Sequence, residues 1–305
     1  MAERFPYLDL IEHLDNLEEL NGRRQPRIFR PRRDPFEYYN DREFLKRYRF
    51  SKQAVRDLEL RLRPQLTHQN NRNRAISSLI QVTTALRFYD TNNFQQIDGD
   101  LVGCSQATVS RIVRRVTNAI CNLRQEFINF PNENELNMVK ENFFHISAFP
   151  QVIGAIDGTH IPIKSPGGND AELFRNRKGY FSLNVQAIVD STCKFTDIVV
   201  RWPGSTHEST IFNNSRICQR FERNEFDGFL LGDSGYPCKR YLLTPFLNPD
   251  TQAQHHYHKS LPCGYKVCCR KNVWSMEGAF SLSSNAFAVG PSELPKCGNC
   301  DCLFA

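Results

Sequence analysis

Two short apolar runs, each ending in an aspartate, constrain the fold of this chain more than any other feature. Val152-Ile153-Gly154-Ala155-Ile156 runs into Asp157-Gly158, and Phe229-Leu230-Leu231-Gly232 runs into Asp233-Ser234-Gly235. Unbroken apolar runs of this length suit strands buried on both faces, because every side chain then needs an apolar neighbour. Each strand would carry an acid at its exit. Between them, Leu183, Val185, Ala187 and Val189 alternate with polar or smaller residues, Asp190-Ser191-Thr192-Cys193 interrupts the pattern, and Phe195-Thr196-Asp197-Ile198-Val199-Val200 resumes it. That spacing reads as a hairpin. Three early strands, a helical connection and a further strand predict an α/β fold with a mixed sheet.

If the two acid-bearing strands are neighbours, their carboxylates meet despite their separation in sequence. Hard oxygen donors of this kind take Mg²⁺ or Mn²⁺. A pair of such ions about 4 Å apart activates an attacking water and stabilises the leaving oxygen of a phosphodiester. The same residues also fit a plainer role. Asp-Gly and Asp-Ser-Gly are ordinary turn signals, in which the aspartate accepts a hydrogen bond from its own downstream backbone. Spacing alone leaves both readings open.

Upstream of the sheet the periodicity is helical. Within residues 41–130, Val55, Leu58 and Leu62 follow Ser51 as a helix cap, and Ile76, Leu79, Ile80, Thr83 and Leu86 form a second stripe. Asn93 to Ile97, then Gly103 and Ser105, lead into a segment whose apolar face is Val109, Ile112, Val113, Val116 and Ile120. This predicts a helix-turn-helix, with Gly103 supplying the turn and Ser105 capping the second helix. Such a helix presents early polar side chains to base edges and arginines to phosphates. Gln106, Ser110, Arg111, Arg114 and Arg115 lie off the apolar face and are the candidate nucleic-acid contacts. An amphipathic helix with a solvated basic side has the same pattern. Ahead of it, residues 1–40 hold Arg23, Arg24, Arg27, Arg30, Arg32 and Arg33 among Pro26, Pro31 and Pro35, an expected mobile basic arm. The formal net charge of +6 is compatible with a polyanionic partner.

The first residues are too acidic and too broken for a secretory signal, and no apolar run approaches membrane-spanning length. The expected location is the nucleus or the cytoplasm, with no membrane partner. A chain of 305 residues can bury a full core without a disulfide or metal staple. Yet six of its 11 cysteines, Cys263, Cys268, Cys269, Cys297, Cys300 and Cys302, crowd into the last stretch.

Four ordered segments carry a family likeness. They are Val152 to Ile163, Asn176-Arg177-Lys178-Gly179-Tyr180, Trp202-Pro203-Gly204-Ser205-Thr206-His207-Glu208-Ser209, and Leu231-Gly232-Asp233-Ser234-Gly235-Tyr236-Pro237. Together they closely resemble the Harbinger transposase-derived nucleases of the DDE superfamily, from the helical region to about Ser260. The resemblance implies a ribonuclease-H-like mixed sheet preceded by an all-α helix-turn-helix domain, a divalent cation (Mg²⁺ or Mn²⁺) and DNA as substrate. Matched by motif, Asp157 and Asp233 are the first two acids of the catalytic triad. Glu208 stands where the family usually has a further metal-ligand aspartate. A separate DNA-binding protein is a second expected partner.

Beyond the Tyr257 region the likeness breaks off. Members of the family continue with a helix patterned T-R-x-V-V-E-R-x-F-G, whose glutamate completes the metal site. This chain instead runs from Tyr265-Lys266-Val267-Cys268-Cys269 to Met276-Glu277-Gly278. Read one base later, codons for these residues can encode the family helix; Met276 followed by Glu277, for instance, must give Trp. A change of reading frame between about Ser260 and Tyr265 is therefore expected, with the third glutamate encoded across the Arg270 and Lys271 codons. On that basis residues 145–262 form a C-terminally incomplete nuclease domain and residues 263–305 an out-of-frame tail. Cys297-Gly298-Asn299-Cys300-Asp301-Cys302 then looks like half of a zinc cluster by accident. Three functions follow as expectations: a metal-dependent endonuclease hydrolysing DNA, a non-catalytic DNA-binding or partner-binding protein, or a product that does not fold stably.

Overall fold

The computed structural model describes residues 32–67, 75–91, 99, 102–147, 149–246, 248–252, 254, 255 and 257. The arginine-rich arm up to residue 31, the segment expected to open the helix-turn-helix at residues 92–98, and the cysteine-rich tail lie outside the described residues.

The helical part comprises α1 (Pro35–Tyr38), α2 (Asp41–Tyr48), α3 (Lys52–Leu66), α4 (Ser78–Thr91), α5 (Gln106–Asn122) and α6 (Arg124–Phe127). The starts of α2 and α3 are written in the sequence. Asn40 and Glu43 exchange side-chain-to-backbone bonds in a capping box, and Ser51 Oγ accepts from Ala54 N at 3.1 Å. Phe44, Val55, Leu62, Leu66, Val82, Ala85, Ile112 and Val116 close these helices around one core. Gly103 makes the turn before α5 with a left-handed backbone, φ 72°. Ser105 occupies the cap position but makes no side-chain bond to the helix backbone; its hydroxyl instead lies 3.0 Å from Thr108 Oγ1. The capping expected of it is thus replaced by a hydroxyl pair.

After α7 (Glu133–Ser147) the chain enters a sheet of β1 (Val152–Pro162), β2 (Ser182–Val189), β3 (Phe195–Pro203), β4 (Phe229–Leu231) and β5 (Leu242–Leu243). The strand order is β3-β2-β1-β4-β5. The first three strands form an antiparallel meander, and β4 and β5 run parallel to β1. Asp190 shapes the β2–β3 turn: its Oδ1 accepts from Thr192 N and Lys194 N at 2.8 and 2.9 Å. Between β3 and β4 come α8 (Glu208–Asn213) and α9 (Arg216–Glu222).

Both sheet faces are covered. Val139 and Phe143 of α7 pack on Ala155, Val189 and Leu231. Phe212, Ile217 and Phe221 of α8 and α9 pack against Ile156, Ile188, Leu230 and Tyr241. Two-sided burial explains why all of β2 is buried and why its apolar residues are not confined to alternate positions.

One sequence expectation needs correction. The apolar run ends at Asp157, but β1 continues to Pro162, because β2 goes on pairing with it from Asp157↔Ala187 to Pro162↔Ser182. Asp157 therefore lies within β1, at the level where β4 stops. No described helix is long and apolar enough to cross a membrane.

Candidate active site

Strand register brings the two aspartates side by side. In the parallel ladder Ala155 pairs with Leu231, and Asp157 and Asp233 follow each of them at the same interval. Each aspartate also binds its own downstream backbone, Asp157 inside β1 and Asp233 in the turn after β4. Asp157 Oδ1 accepts from Gly158 N at 2.8 Å, and Asp233 Oδ1 accepts from Gly235 N at 2.8 Å. The local hydrogen bond expected of a turn signal is thus present at both residues, in a turn at Asp233 and inside a strand at Asp157.

Glu208 joins them from a separate segment. It is the first residue of α8, whose cap His207 accepts from Ser209 N through its ring nitrogen. The Glu208 carboxylate lies directly over two glycines. A methyl group on Gly158 would fall 2.7 Å from Glu208 Oε1, and one on Gly235 would fall 2.5 Å from Glu208 Oε2 and 3.0 Å from Asp233 Oδ1. The glycine after each aspartate thus leaves the space into which the third carboxylate fits.

The electrostatics agree with this convergence. Burial raises the Glu208 carboxyl to about 7; the negative charges of Asp233 and then Asp157 push it the same way, and only Arg177 opposes them. Like charges held this close are an arrangement that a hard divalent cation relieves, and three oxygen donors suit Mg²⁺ or Mn²⁺. Among the described residues no group of three His, Cys, Asp or Glu side chains is placed to hold a metal ion as it stands. What links the three acids is the register of the ladder, the position of Glu208 over Gly158 and Gly235, and the charge coupling.

A pH dependence follows with a definite sign. Because the folded protein holds Glu208 above its unfolded value, the protonated form is the one folding favours. That contribution is full below about pH 4.5 and is lost as pH rises through about 7. In metal-free protein, Glu208→Gln is expected to match wild type near the acid end and to exceed it at pH 8 by on the order of 2 kcal/mol. Denaturant melts across this range check it; parallel curves for the two proteins would show that Glu208 is not buried against the aspartates.

Polar groups, most of them buried, tie β1, β2 and the neighbouring loops together. His160 Nδ1 lies 3.2 Å from Ser182 Oγ, which also accepts from Asn176 Nδ2 at 3.1 Å. Asn184 Nδ2 donates to Thr206 O at 2.8 Å, fixing the loop that delivers Glu208. Sequence reasoning passed over these residues and Arg177, although Asn176, Arg177, His160 and Thr206 lie in segments already singled out. The candidate nucleic-acid contacts are all on α5, away from the acids in sequence. Gln106, Ser110, Arg111 and Arg114 are exposed, whereas Arg115 is half-buried and donates to Gln81 Oε1 of α4 at 3.3 Å.

Comparison with known proteins covers the stretch of chain that holds these residues. The DDE superfamily endonuclease family matches residues 156–264, which contain Asp157, Glu208 and Asp233. The rat protein named "Putative nuclease HARBI1" is 34% identical over 240 residues, covering 75% of this chain and 68% of its own. The chain belongs to the Harbinger transposase-derived nuclease family. The human relative of the same name is 34% identical over 229 residues, covering 74% of this chain and 65% of its own. A more distant likeness is to Protein ALP1-like of Arabidopsis thaliana, 29% identical over 195 residues, or 59% of this chain and 48% of that one. No solved structure matches the chain.

Proposed function

We propose that this chain is a divalent-metal-dependent nuclease that hydrolyses DNA phosphodiester bonds on a ribonuclease-H-like sheet. The observation that carries it is the convergence of Asp157, Asp233 and Glu208 over the paired glycines Gly158 and Gly235. The strand order, an antiparallel meander continued by two strands parallel to its first member, supports the ribonuclease-H-like assignment. Bound Mg²⁺ or Mn²⁺ would supply an activated water and stabilise the leaving oxygen. The chain's own part is positional. Asp157 and Asp233 are fixed by their backbone bonds, and Glu208 is fixed through Thr206 and the cap of α8. The test is conversion of supercoiled plasmid by the purified full chain in Mg²⁺ or Mn²⁺ and in chelator. Cation-dependent nicking is expected; nicking that persists in chelator rejects the assignment.

A second reading, DNA binding without cleavage, is favoured by one observation: α5 keeps Gln106, Ser110, Arg111 and Arg114 exposed on its outer side. Arg111→Ala combined with Arg114→Ala is expected to lower the slope of log affinity against log salt by about 2, near 0.9 for each phosphate no longer neutralised. Arg115→Ala, which cuts the bond to Gln81, is expected to lower thermal stability instead. DNA titrations over a salt series, with thermal melts beside them, separate the two. An unchanged slope in the double variant would remove α5 from the interface.

A further inference from the structure

The turn from Asn176 to Tyr180 takes no part in holding the three acids, yet it is built rigidly. An isolated bridge between Arg175 and Phe181 closes its base. Asn176 N donates to Tyr180 O, and Gly179 N to Asn176 O, both at 2.9 Å. The Asn176 side chain fills the turn, its Oδ1 accepting from Lys178 N at 3.0 Å and Tyr180 N at 3.3 Å. Its Nδ2 ties the turn to Ser182, which pairs with Pro162 at the end of β1. Gly179 takes the left-handed backbone that the reversal requires, φ 85°.

The cations of this turn divide into two kinds. Arg175 is committed to structure: it grips Glu172 through two nitrogens at 2.7 and 2.9 Å, donates to Gly179 O at 2.8 Å and stacks on Phe181. Arg177 and Lys178 are exposed, and neither side chain is hydrogen-bonded or ion-paired among the described residues. The turn lies against the loop that delivers Glu208: Ser205 N donates to Leu173 O at 3.1 Å, and a methyl group on Gly204 would fall 2.6 Å from Phe174 O. The Arg177 charge accordingly reaches Glu208. A pinned turn thus holds two uncommitted cations beside the segment that brings Glu208 to the aspartates. A phosphodiester approaching those acids meets repulsion, and cations nearby offset it.

We propose that Arg177 and Lys178 form a phosphodiester clamp, binding nucleic-acid backbone phosphates next to the reactive one and drawing the polyanion onto the carboxylates. This rests on the nuclease reading, and its test is chosen to fail separately. The full chain is titrated into a short fluorescein-labelled DNA duplex in chelator over a KCl series, so that no cleavage is required. The Arg177→Ala, Lys178→Ala double variant is expected to lose about 2 from the salt slope and to bind on the order of 10-fold more weakly at low salt, while Arg177→Lys keeps the wild-type slope. Asp157→Asn is expected to bind with an undiminished slope. Unchanged slope and affinity in the double variant overturn the clamp even if the plasmid is cleaved. A lowered slope with no cleavage by wild type upholds the clamp and rejects the nuclease. Arg177→Gln and Lys178→Gln singly, each expected to lose about 1 from the slope, carry the test if the double variant does not fold.

Discussion

Replacing Asp157 or Asp233 by asparagine is expected to lower cation-dependent plasmid cleavage by at least about 100-fold while leaving the melting temperature close to wild type. The loss sets a floor, since removing a partner that merely orients a metal ligand already costs roughly 10–100-fold. Asparagine is the informative choice because of the bonds already in place. Asp157 Oδ1 accepts from Gly158 N, and Asp233 Oδ1 accepts from Gly235 N, each at 2.8 Å. An amide oxygen accepts the same bond, so the local backbone contact survives and the charge does not. The substitution therefore separates the two jobs of each aspartate. Variants that cleave as well as wild type would leave both residues with their local backbone bonds as their whole role.

Gly158→Ala is the second large effect, and it acts without touching an acid. The added carbon would sit 2.7 to 2.8 Å from the Oε1, Cδ and Cγ atoms of Glu208, closer than such contacts allow. Gly158 is held in register with Gln186 between two strands, so the side chain of Glu208 must move rather than the backbone. Cleavage is expected to fall roughly 10- to 100-fold. The stability cost is small beside the roughly 1–3 kcal/mol typical of overpacking, because the end of a flexible side chain gives way. Combining Gly158→Ala with Glu208→Ala makes the test specific: the double variant should be no worse than Glu208→Ala alone. Fully multiplicative losses would mean that Gly158 acts through something other than Glu208.

Much of the sheet was legible because burial writes itself into apolar runs. Val152 to Ile156 and Phe229 to Leu231 fall in strands, and the break at Asp190 to Cys193 falls at the β2–β3 turn. The extension of β1 past Asp157 was not legible, since Thr159 and His160 are polar and are held in the strand by pairing with β2. The glycines beside the aspartates were read as turn signals for the local chain. Their second role depends on Glu208, which arrives from a distant segment, and no local pattern reports it. Arg115 shows the same limit. It sits off the apolar stripe of α5 by spacing, yet α4 packs close enough for Gln81 to engage it. The segment where the family helix would stand lies outside the described residues, and its glutamate is expected to be missing from this chain, while Glu208, matched by motif alone, is the acid found coupled to both aspartates.

The seam between β1 and β4 also orders the assembly of the site in time. The β1–β2–β3 meander joins neighbours in sequence, so it closes short loops and is available early. The β1–β4 ladder spans the whole hairpin and both connecting helices, and its loop-closure entropy falls due before its contacts form. A nascent chain that has built the meander therefore holds Asp157 but not yet Asp233 beside it. On the proposed reading, the pair of acids that would hold a cation comes together only when this long-range ladder closes.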